Sequence, residues 1–171
     1  GYQLAKKSVY KEGEFDQVDR VLYDLKHNPA SRRILTNMYN FEDLHEMHLY
    51  PCAYSMTFNV SGNVLNGILH QRSNDMLTAN NWNVVQYSVL LLMFAQVSGL
   101  QAGELVHVIA DAHIYDRHIP IVEKILQKPR HPAPKLVMDT SIDDFYKFTT
   151  DSFSLEGYEW EPLDEKIPVA I

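Results

Sequence analysis

Two strand-like runs joined by a tight turn constrain the fold of this chain more than any other feature. In residues 53–60 apolar side chains alternate with polar ones, residues 64–71 form a second mainly apolar run, and Ser61-Gly62-Asn63 between them is a turn signal. A hairpin of this kind returns the chain to its starting point. The sequence therefore predicts that Cys52, at the entrance of the hairpin, and Arg72, at its exit, are neighbours.

Cys52 is the only cysteine among the 171 residues. Its thiolate is a nucleophile that no hydroxyl matches at neutral pH, yet a single cysteine is more often an inert small apolar residue. A guanidinium close to the sulfur would favour the chemical role, because a positive charge favours the thiolate and an arginine can also bind a phosphate with two hydrogen bonds. The alternative for Arg72 is a solvated charge at a strand edge.

The segment that follows the second run concentrates polar chemistry in six residues, His70-Gln71-Arg72-Ser73-Asn74-Asp75. It contains a cation, amide and hydroxyl donors, and a carboxylate. Together with Cys52, these groups are suited to holding a phosphorylated heterocycle beside a nucleophile.

Charge and hydropathy exclude several classes of function. A net charge of −7 argues against general nucleic-acid binding and against binding to anionic membranes, since both require a basic face. The longest apolar run, residues 89–95, is too short to span a membrane, and the first residues lack the apolar segment of a signal peptide. The eight histidines include no paired metal-binding spacing, so we expect no metal site. We interpret the chain as a cytoplasmic protein with one domain over residues 1–171.

Periodicity predicts a chain that contains both helices and strands. A helix follows Asp16, a plausible N-cap, and ends at Asn28-Pro29. The most apolar helix, residues 82–97, is expected to be central, with Asn80 or Asn81 as its N-cap and Gly99 after its end. The remaining elements expected are helices at 41–47 and 119–126 and strands at 34–39, 104–110, 135–139 and 153–160.

Three further groups of polar residues are candidates for ligand contacts. Asn83 offers both a donor and an acceptor, which the edge of a uracil ring requires, although an asparagine near a helix start is more often a capping residue. His113 and Tyr115 are two positions apart, so on an extended chain they point the same way and suit a sugar hydroxyl; alternatively, both are structural. Arg32 and Arg33 are adjacent at a strand start, where an ordinary solvated pair is the alternative.

The motifs taken together resemble the thymidylate synthases. The resemblance is carried by Leu49-Tyr50-Pro51-Cys52-Ala53-Tyr54, by residues 70–75, by Asn83, by His113-Ile114-Tyr115 and by the tail Ile167-Pro168-Val169-Ala170-Ile171, and it covers essentially the whole chain. It implies a methyltransferase that reductively methylates dUMP to dTMP with 5,10-methylenetetrahydrofolate as cosubstrate, giving dihydrofolate. It also implies an α+β fold with a mixed β-sheet packed with helices, and a homodimer with the sheet at the dimer interface.

The resemblance implies a role for each matching residue. Cys52 would be the nucleophile that adds to uracil C6, and Arg32 and Arg33 would reach the phosphate site of the partner subunit. The folate would be contacted by Asp75, Trp82, Val169 and Ala170, with the Ile171 carboxylate closing the tail over the site. The residues expected to bind dUMP are Arg32, Arg33, Gln71, Arg72, Ser73, Asn74, Asp75, Asn83, His113 and Tyr115.

The chain also departs from the family pattern. Ala53 follows the cysteine where many members have histidine, and Thr78-Ala79-Asn80-Asn81-Trp82 replaces an apolar, glycine-containing loop that borders the folate. The family has a further N-terminal segment that is absent from these 171 residues. We therefore expect the 171-residue form to have little or no turnover.

Two other classes of function stay open. A dUMP hydroxymethylase would use the same cysteine and folate but let water capture the methylene group. An inactive nucleotide-binding or dimerisation module would keep Asn83 and the hairpin but have no need for Cys52.

Overall fold

The computed structural model of the protein describes residues 1–168 and has an α+β fold. Its main sheet has four strands in the order β3-β4-β5-β7. The helices are α1 (Tyr2–Ala5), α2 (Gln17–His27), α3 (Asn80–Val97) and α4 (Ile119–Leu126). The strands are β1 (Ser8–Tyr10), β2 (Gly13–Phe15), β3 (Leu35–Asn37), β4 (Ala53–Ser61), β5 (Val64–Gln71), β6 (Asn74–Asp75), β7 (Gln101–Ile109), β8 (Ala112–His113), β9 (Lys135–Met138) and β10 (Phe153–Glu156).

The predicted hairpin is confirmed as β4 and β5. The two strands are antiparallel, from Ser61 opposite Val64 at the turn to Ala53 opposite Gln71 at the open end. Gly62 has a φ of 62°, the left-handed conformation that a two-residue hairpin turn with glycine first requires. The bulge near Ala53 lies at the open end, where the candidate site residues begin.

Helix α3 connects β5 to β7, which run parallel. A parallel pair needs a long crossover of this kind, and the helix covers one face of the sheet. Phe58 and Phe94 pack edge to face with ring centroids 5.3 Å apart, and Met56, Leu69 and Leu91 complete the centre of the core. Helix α3 is thus central along most of its length, as expected. It is also the longest helix in residues 1–168, and none of the helices there could cross a membrane.

Helix α2 has the predicted N-cap. The Asp16 side chain accepts a hydrogen bond from the Asp19 backbone N–H at 2.8 Å, and Val21 and Leu25 face the core. Helix α4 begins and ends where it was predicted.

Several predicted boundaries are wrong. Neither Asn80 nor Asn81 caps α3, because the helix already includes both residues and Ala79 is at the cap position. Residues 41–47 form turns and a short 3-10 helix, Leu44–Glu46, instead of a regular helix. Strands β3, β9 and β10 are each shorter than predicted, and within residues 1–168 β9 and β10 pair only with each other, outside the main sheet.

A second pair of parallel strands, β6 and β8, lies beyond the end of β5 and β7 and outside the main sheet. Strand β6 pairs with β8, so that Asp75 lies beside His113, just as Gln71 lies beside Ile109 at the end of β5 and β7. Two sequence segments that are far apart are in this way placed next to each other at one end of the sheet.

Gly103 on β7 is required by a close approach between the strands. A Cβ there would lie 2.5 Å from Val64 Cγ1 and would also overlap the Asn66 side chain, whose Oδ1 accepts the Glu104 backbone N–H at 2.9 Å. We expect Gly103→Ala to lower the free energy of unfolding by about 1–3 kcal/mol, measured by urea denaturation. Glu104→Ala is the control, since it changes an exposed side chain and is expected to cost less than about 0.5 kcal/mol. Equal stability of the two variants would contradict the steric explanation.

Candidate active site

Cys52 and Arg72 meet at the open end of the hairpin. Arg72 Nη2 lies 3.6 Å from Cys52 Sγ, and the Arg72 backbone N–H donates to the Cys52 carbonyl at 2.9 Å. The guanidinium is held in place by two carbonyls, with Nη2 donating to Tyr50 at 2.7 Å and Nε to Pro51 at 3.1 Å. Cys52 is only half-buried, so its sulfur can be reached by a ligand. A fixed cation beside a reachable thiol favours nucleophilic chemistry and binding of an anion.

Gln71 connects this end of the hairpin to α3. Its side chain is only 2% exposed, and Nε2 donates to the Ser73 carbonyl at 2.8 Å and to Asn83 Oδ1 at 2.9 Å. Gln71 Oε1 lies 2.8 Å from His107 Nε2 on β7. Asn83 is half-buried in the first turns of α3. The structure therefore brings together Gln71 and Asn83, as the sequence led us to expect.

Ser73 and Asn74 have different surroundings. The Ser73 hydroxyl has no hydrogen bond within residues 1–168, which leaves it available to a ligand. Asn74 is only 1% exposed and its Nδ2 donates to Asn80 Oδ1 at 3.0 Å, so its main contact in the described part of the chain is with the start of α3. Binding of dUMP by Asn74 stays a prediction.

Asp75 lies next to His113 and begins the turn that leads into α3. Its carboxylate accepts the Leu77 N–H at 2.9 Å, the Thr78 N–H at 3.2 Å and the Thr78 hydroxyl at 2.5 Å. Burial opposes ionisation of this carboxyl, but the hydrogen bonds from Thr78 and Leu77 outweigh burial and lower the pKa of Asp75 below its ordinary value. Asp75 is therefore an anion at neutral pH.

His113 and Tyr115 are close together, as their spacing predicted. Their ring centroids are 5.0 Å apart in an edge-to-face arrangement. Because Asp75 pairs with His113 across β6 and β8, these rings lie on the same side of the site as the Asp75 carboxylate.

Three predicted residues lie apart from this cluster. The Trp82 side chain is 78% exposed and has no ring contact within residues 1–168. Arg32 and Arg33 precede β3 and are exposed, and neither guanidinium has a hydrogen bond or ion pair in the described residues. Strand β3 is antiparallel to β4, with Leu35 opposite Thr57, so the two arginines are at the far end of β4 from Cys52.

The C-terminal segment up to Pro168 lies along α4. Lys124 contacts Glu165, Lys128 donates to the Pro162 carbonyl, and His118 Nε2 lies 2.8 Å from the Pro168 carbonyl. Val169, Ala170 and Ile171, predicted to contact the folate or close the tail, lie outside the described residues.

Sequence reasoning missed two histidines near the site. His118 is 1% exposed and contacts the Pro168 carbonyl, and His107 contacts Gln71. Alternation along β7 could have identified His107 as a polar residue on the core face, because it pairs with the buried Leu69. No cluster of three or more potential metal ligands occurs within residues 1–168.

Comparison with known proteins agrees with this geometry. A family model described as thymidylate synthase matches residues 1–171. The thymidylate synthase of Bacillus licheniformis is 45% identical over 160 residues, which is 93% of this chain and 57% of the relative. That of Bacillus mojavensis is 43% identical over the same share of each chain.

The three-dimensional structure of the chain is also similar to a solved thymidylate synthase structure. The thermostable thymidylate synthase A from Bacillus subtilis matches with a TM-score of 0.90 and 38% identity, over 99% of this chain and 60% of that chain. The chain thus spans less than two thirds of the length of these relatives. From the family model, the relatives and the shared fold, we conclude that this chain belongs to the thymidylate synthase family.

Proposed function

We propose that the full-length protein is a thymidylate synthase that converts dUMP to dTMP with 5,10-methylenetetrahydrofolate, giving dihydrofolate. The observation that carries the proposal is the 3.6 Å contact between Arg72 Nη2 and Cys52 Sγ. A reachable sulfur beside a fixed cation suits a nucleophile that attacks the ring of an anionic nucleotide.

The reaction begins at Cys52. Its thiolate forms a bond to uracil C6, which makes C5 nucleophilic, and C5 then takes up the one-carbon unit. The folate supplies that carbon and the hydride that reduces it to a methyl group. After C5 loses its proton, the bond between the one-carbon unit and the folate nitrogen breaks. The tetrahydrofolate then transfers its hydride to this carbon and becomes dihydrofolate, while the bond between Cys52 and C6 breaks and the thiolate is regenerated. Addition and elimination at one sulfur divide a difficult substitution into easier steps.

The other residues bind and orient the nucleotide. Arg72 Nη1 has no hydrogen bond within residues 1–168 and is available to the phosphate, as is the Ser73 hydroxyl. Asn83 contacts the uracil edge, and His113 with Tyr115 contacts the sugar hydroxyl. Holding the ring against the sulfur in this way supplies proximity and orientation.

The folate binds on the side of Asp75 and Trp82. The Trp82 ring is exposed and offers an aromatic surface for the pterin or aminobenzoyl group, while the ionised Asp75 is an acceptor for ring N–H groups. Val169 and Ala170 would complete the contact from the tail.

We also infer a homodimer formed through the outer face of the sheet. Leu35, Thr57, Ile68 and Val106 form one row across all four strands, and its three large apolar members are 37–48% exposed. An apolar row in the middle of a sheet face is typical of a surface that is covered in an assembly. In the dimer, Arg32 and Arg33 of one subunit bind the phosphate held by the other.

A product assay tests the proposal. Purified full-length protein incubated with dUMP and 5,10-methylenetetrahydrofolate is expected to yield equal amounts of dTMP and dihydrofolate, measured by chromatography and by the absorbance of dihydrofolate. Formation of 5-hydroxymethyl-dUMP would indicate the hydroxymethylase instead. Nucleotide binding without any product would indicate a binding module.

A further inference from the structure

Three side chains meet where β5, β7 and α3 come together, and one backbone carbonyl fixes how all three are oriented. The Ser73 carbonyl can only accept a hydrogen bond, so the Gln71 atom 2.8 Å from it must be the amino group, Nε2. The same amino group lies 2.9 Å from Asn83, so the atom that Asn83 presents must be its acceptor, Oδ1. Gln71 then presents Oε1 to His107, which must donate from Nε2 at 2.8 Å.

His107 is well suited to be this donor. It lies on the same face of the sheet as Leu69, opposite which it pairs, and close to the 2%-exposed Gln71. Burial lowers the pKa of His107, so the ring is neutral at pH 7 and carries one hydrogen. That hydrogen must be on Nε2, and it stays there when the ring is protonated, so the contact with Gln71 persists in both charge states.

The order of donors and acceptors in these hydrogen bonds matters, because an amide side chain must bind uracil and cytosine in opposite orientations. Uracil presents N3–H and the O4 acceptor, whereas cytosine presents an N3 acceptor and an N4 amino group. An amide whose Oδ1 and Nδ2 were exchanged would match cytosine. Fixing Oδ1 on the side of Gln71 leaves one order of donor and acceptor for the nucleotide.

We propose that His107 is a positioning residue which, through Gln71, holds the Asn83 amide in the orientation that accepts dUMP and rejects dCMP. The inference rests on the proposed function and adds a residue that determines base selectivity without touching the base. If the Nε2–H donor is lost, Gln71 Oε1 is left buried without a partner, and Gln71 can regain one only by turning away from Ser73 or Asn83.

A matched pair of variants in the full-length protein tests this inference. In His107→Gln the amide nitrogen replaces Nε2 as a donor, whereas His107→Met has similar length and no donor. Equilibrium binding of dUMP and dCMP is the readout, since it does not depend on turnover. We expect His107→Met to reduce the preference for dUMP over dCMP about tenfold, the effect of losing one buried hydrogen bond. His107→Gln is expected to stay within about twofold of the unmodified protein.

Unchanged selectivity in His107→Met would overturn the inference while leaving the proposed function intact. Equal loss in both variants would also overturn it, because a purely structural role would not distinguish a donor from a non-donor. If the unmodified protein does not bind dUMP, the proposed function itself fails.

A second measurement needs no variant. Nitrogen-15 NMR of the histidine ring in the unmodified protein is expected to give the Nε2–H tautomer for His107. Observation of the Nδ1–H tautomer would overturn the assignment of donors and acceptors.

Discussion

Replacing Cys52 with alanine or serine is expected to lower dTMP formation by at least about 10⁴-fold, because removing a nucleophile eliminates the covalent step. Serine places a hydroxyl where the sulfur was, but a hydroxyl is a far weaker nucleophile without an adjacent base. A base that compensates would have to lie next to Sγ, and within residues 1–168 the hydrogen-bonding neighbours of Sγ are the Arg72 guanidinium and the Tyr50 carbonyl. We therefore expect serine to be no better than alanine.

Adduct formation gives a direct readout for both Cys52 variants. The unmodified full-length protein, mixed with 5-fluoro-dUMP and methylenetetrahydrofolate, is expected to increase in mass by a covalent complex that peptide mapping places at residue 52. Neither variant is expected to form it, although both should still bind dUMP. Ser61→Ala, at the opposite end of β4, is the control and should form the adduct normally. An adduct that survives in either Cys52 variant would exclude this residue as the nucleophile.

Mixing two inactive homodimers is expected to restore activity if Arg32 and Arg33 act across the subunit interface. One parent carries Cys52→Ala and the other carries Arg32→Ala with Arg33→Ala. Random exchange of subunits makes about half of the dimers mixed, and each mixed dimer has one site with every residue intact. Activity should therefore recover to about a quarter of that of the unmodified protein, from a background at least about 100-fold lower.

The position of the two arginines is the reason for expecting this result. Thr57, which pairs with Leu35 just after the arginines, is five residues along β4 from Cys52, or about 17 Å. An arginine side chain does not cover that distance within one subunit. The guanidinium groups are also unpaired within residues 1–168, as expected for cations that bind an anion supplied by another chain.

Homodimers of a single parent are the control. Mixing Cys52→Ala with itself should restore nothing. A mixed dimer of an unmodified chain with a chain that carries all three substitutions should have no functional site, because its one intact Cys52 would receive the substituted arginines of the partner. Failure of the two parents to complement, with mixed dimers demonstrated by mass spectrometry, would place the arginines in a role within their own subunit.

Local chemistry explains which elements could be predicted from the sequence. The hairpin follows from alternation and from Gly62, and α2 follows from the Asp16 cap, because each signal acts within a few residues. The start of α3 could not be derived in the same way. Asp75 orders the turn before the helix by accepting the Leu77 and Thr78 N–H groups, and the helix begins after Ala79 without a side-chain cap.

Long-range pairing accounts for what the sequence left undetermined. Cys52 and Arg72 could be placed together because a hairpin joins them, but the partner of Gln71 on β7 depends on a parallel register that no short pattern encodes. Alternation along β7 could place His107 on the core face, but its contact with Gln71 could not be predicted for this reason. The pairing of β9 with β10, which are separated by a long connection, was missed on the same grounds.

The parallel pairing of β5 with β7 also sets the order in which the site can assemble. The hairpin that joins Cys52 to Arg72 closes a short loop, whereas placing Asp75 beside His113 must wait until the whole of α3 is formed and docked. Loop closure over that distance is slow relative to hairpin formation. A newly made chain would thus acquire its thiol and guanidinium pair early and the pairing of Asp75 with His113 late, so a ligand that contacts both could stabilise the fold only after the crossover is complete.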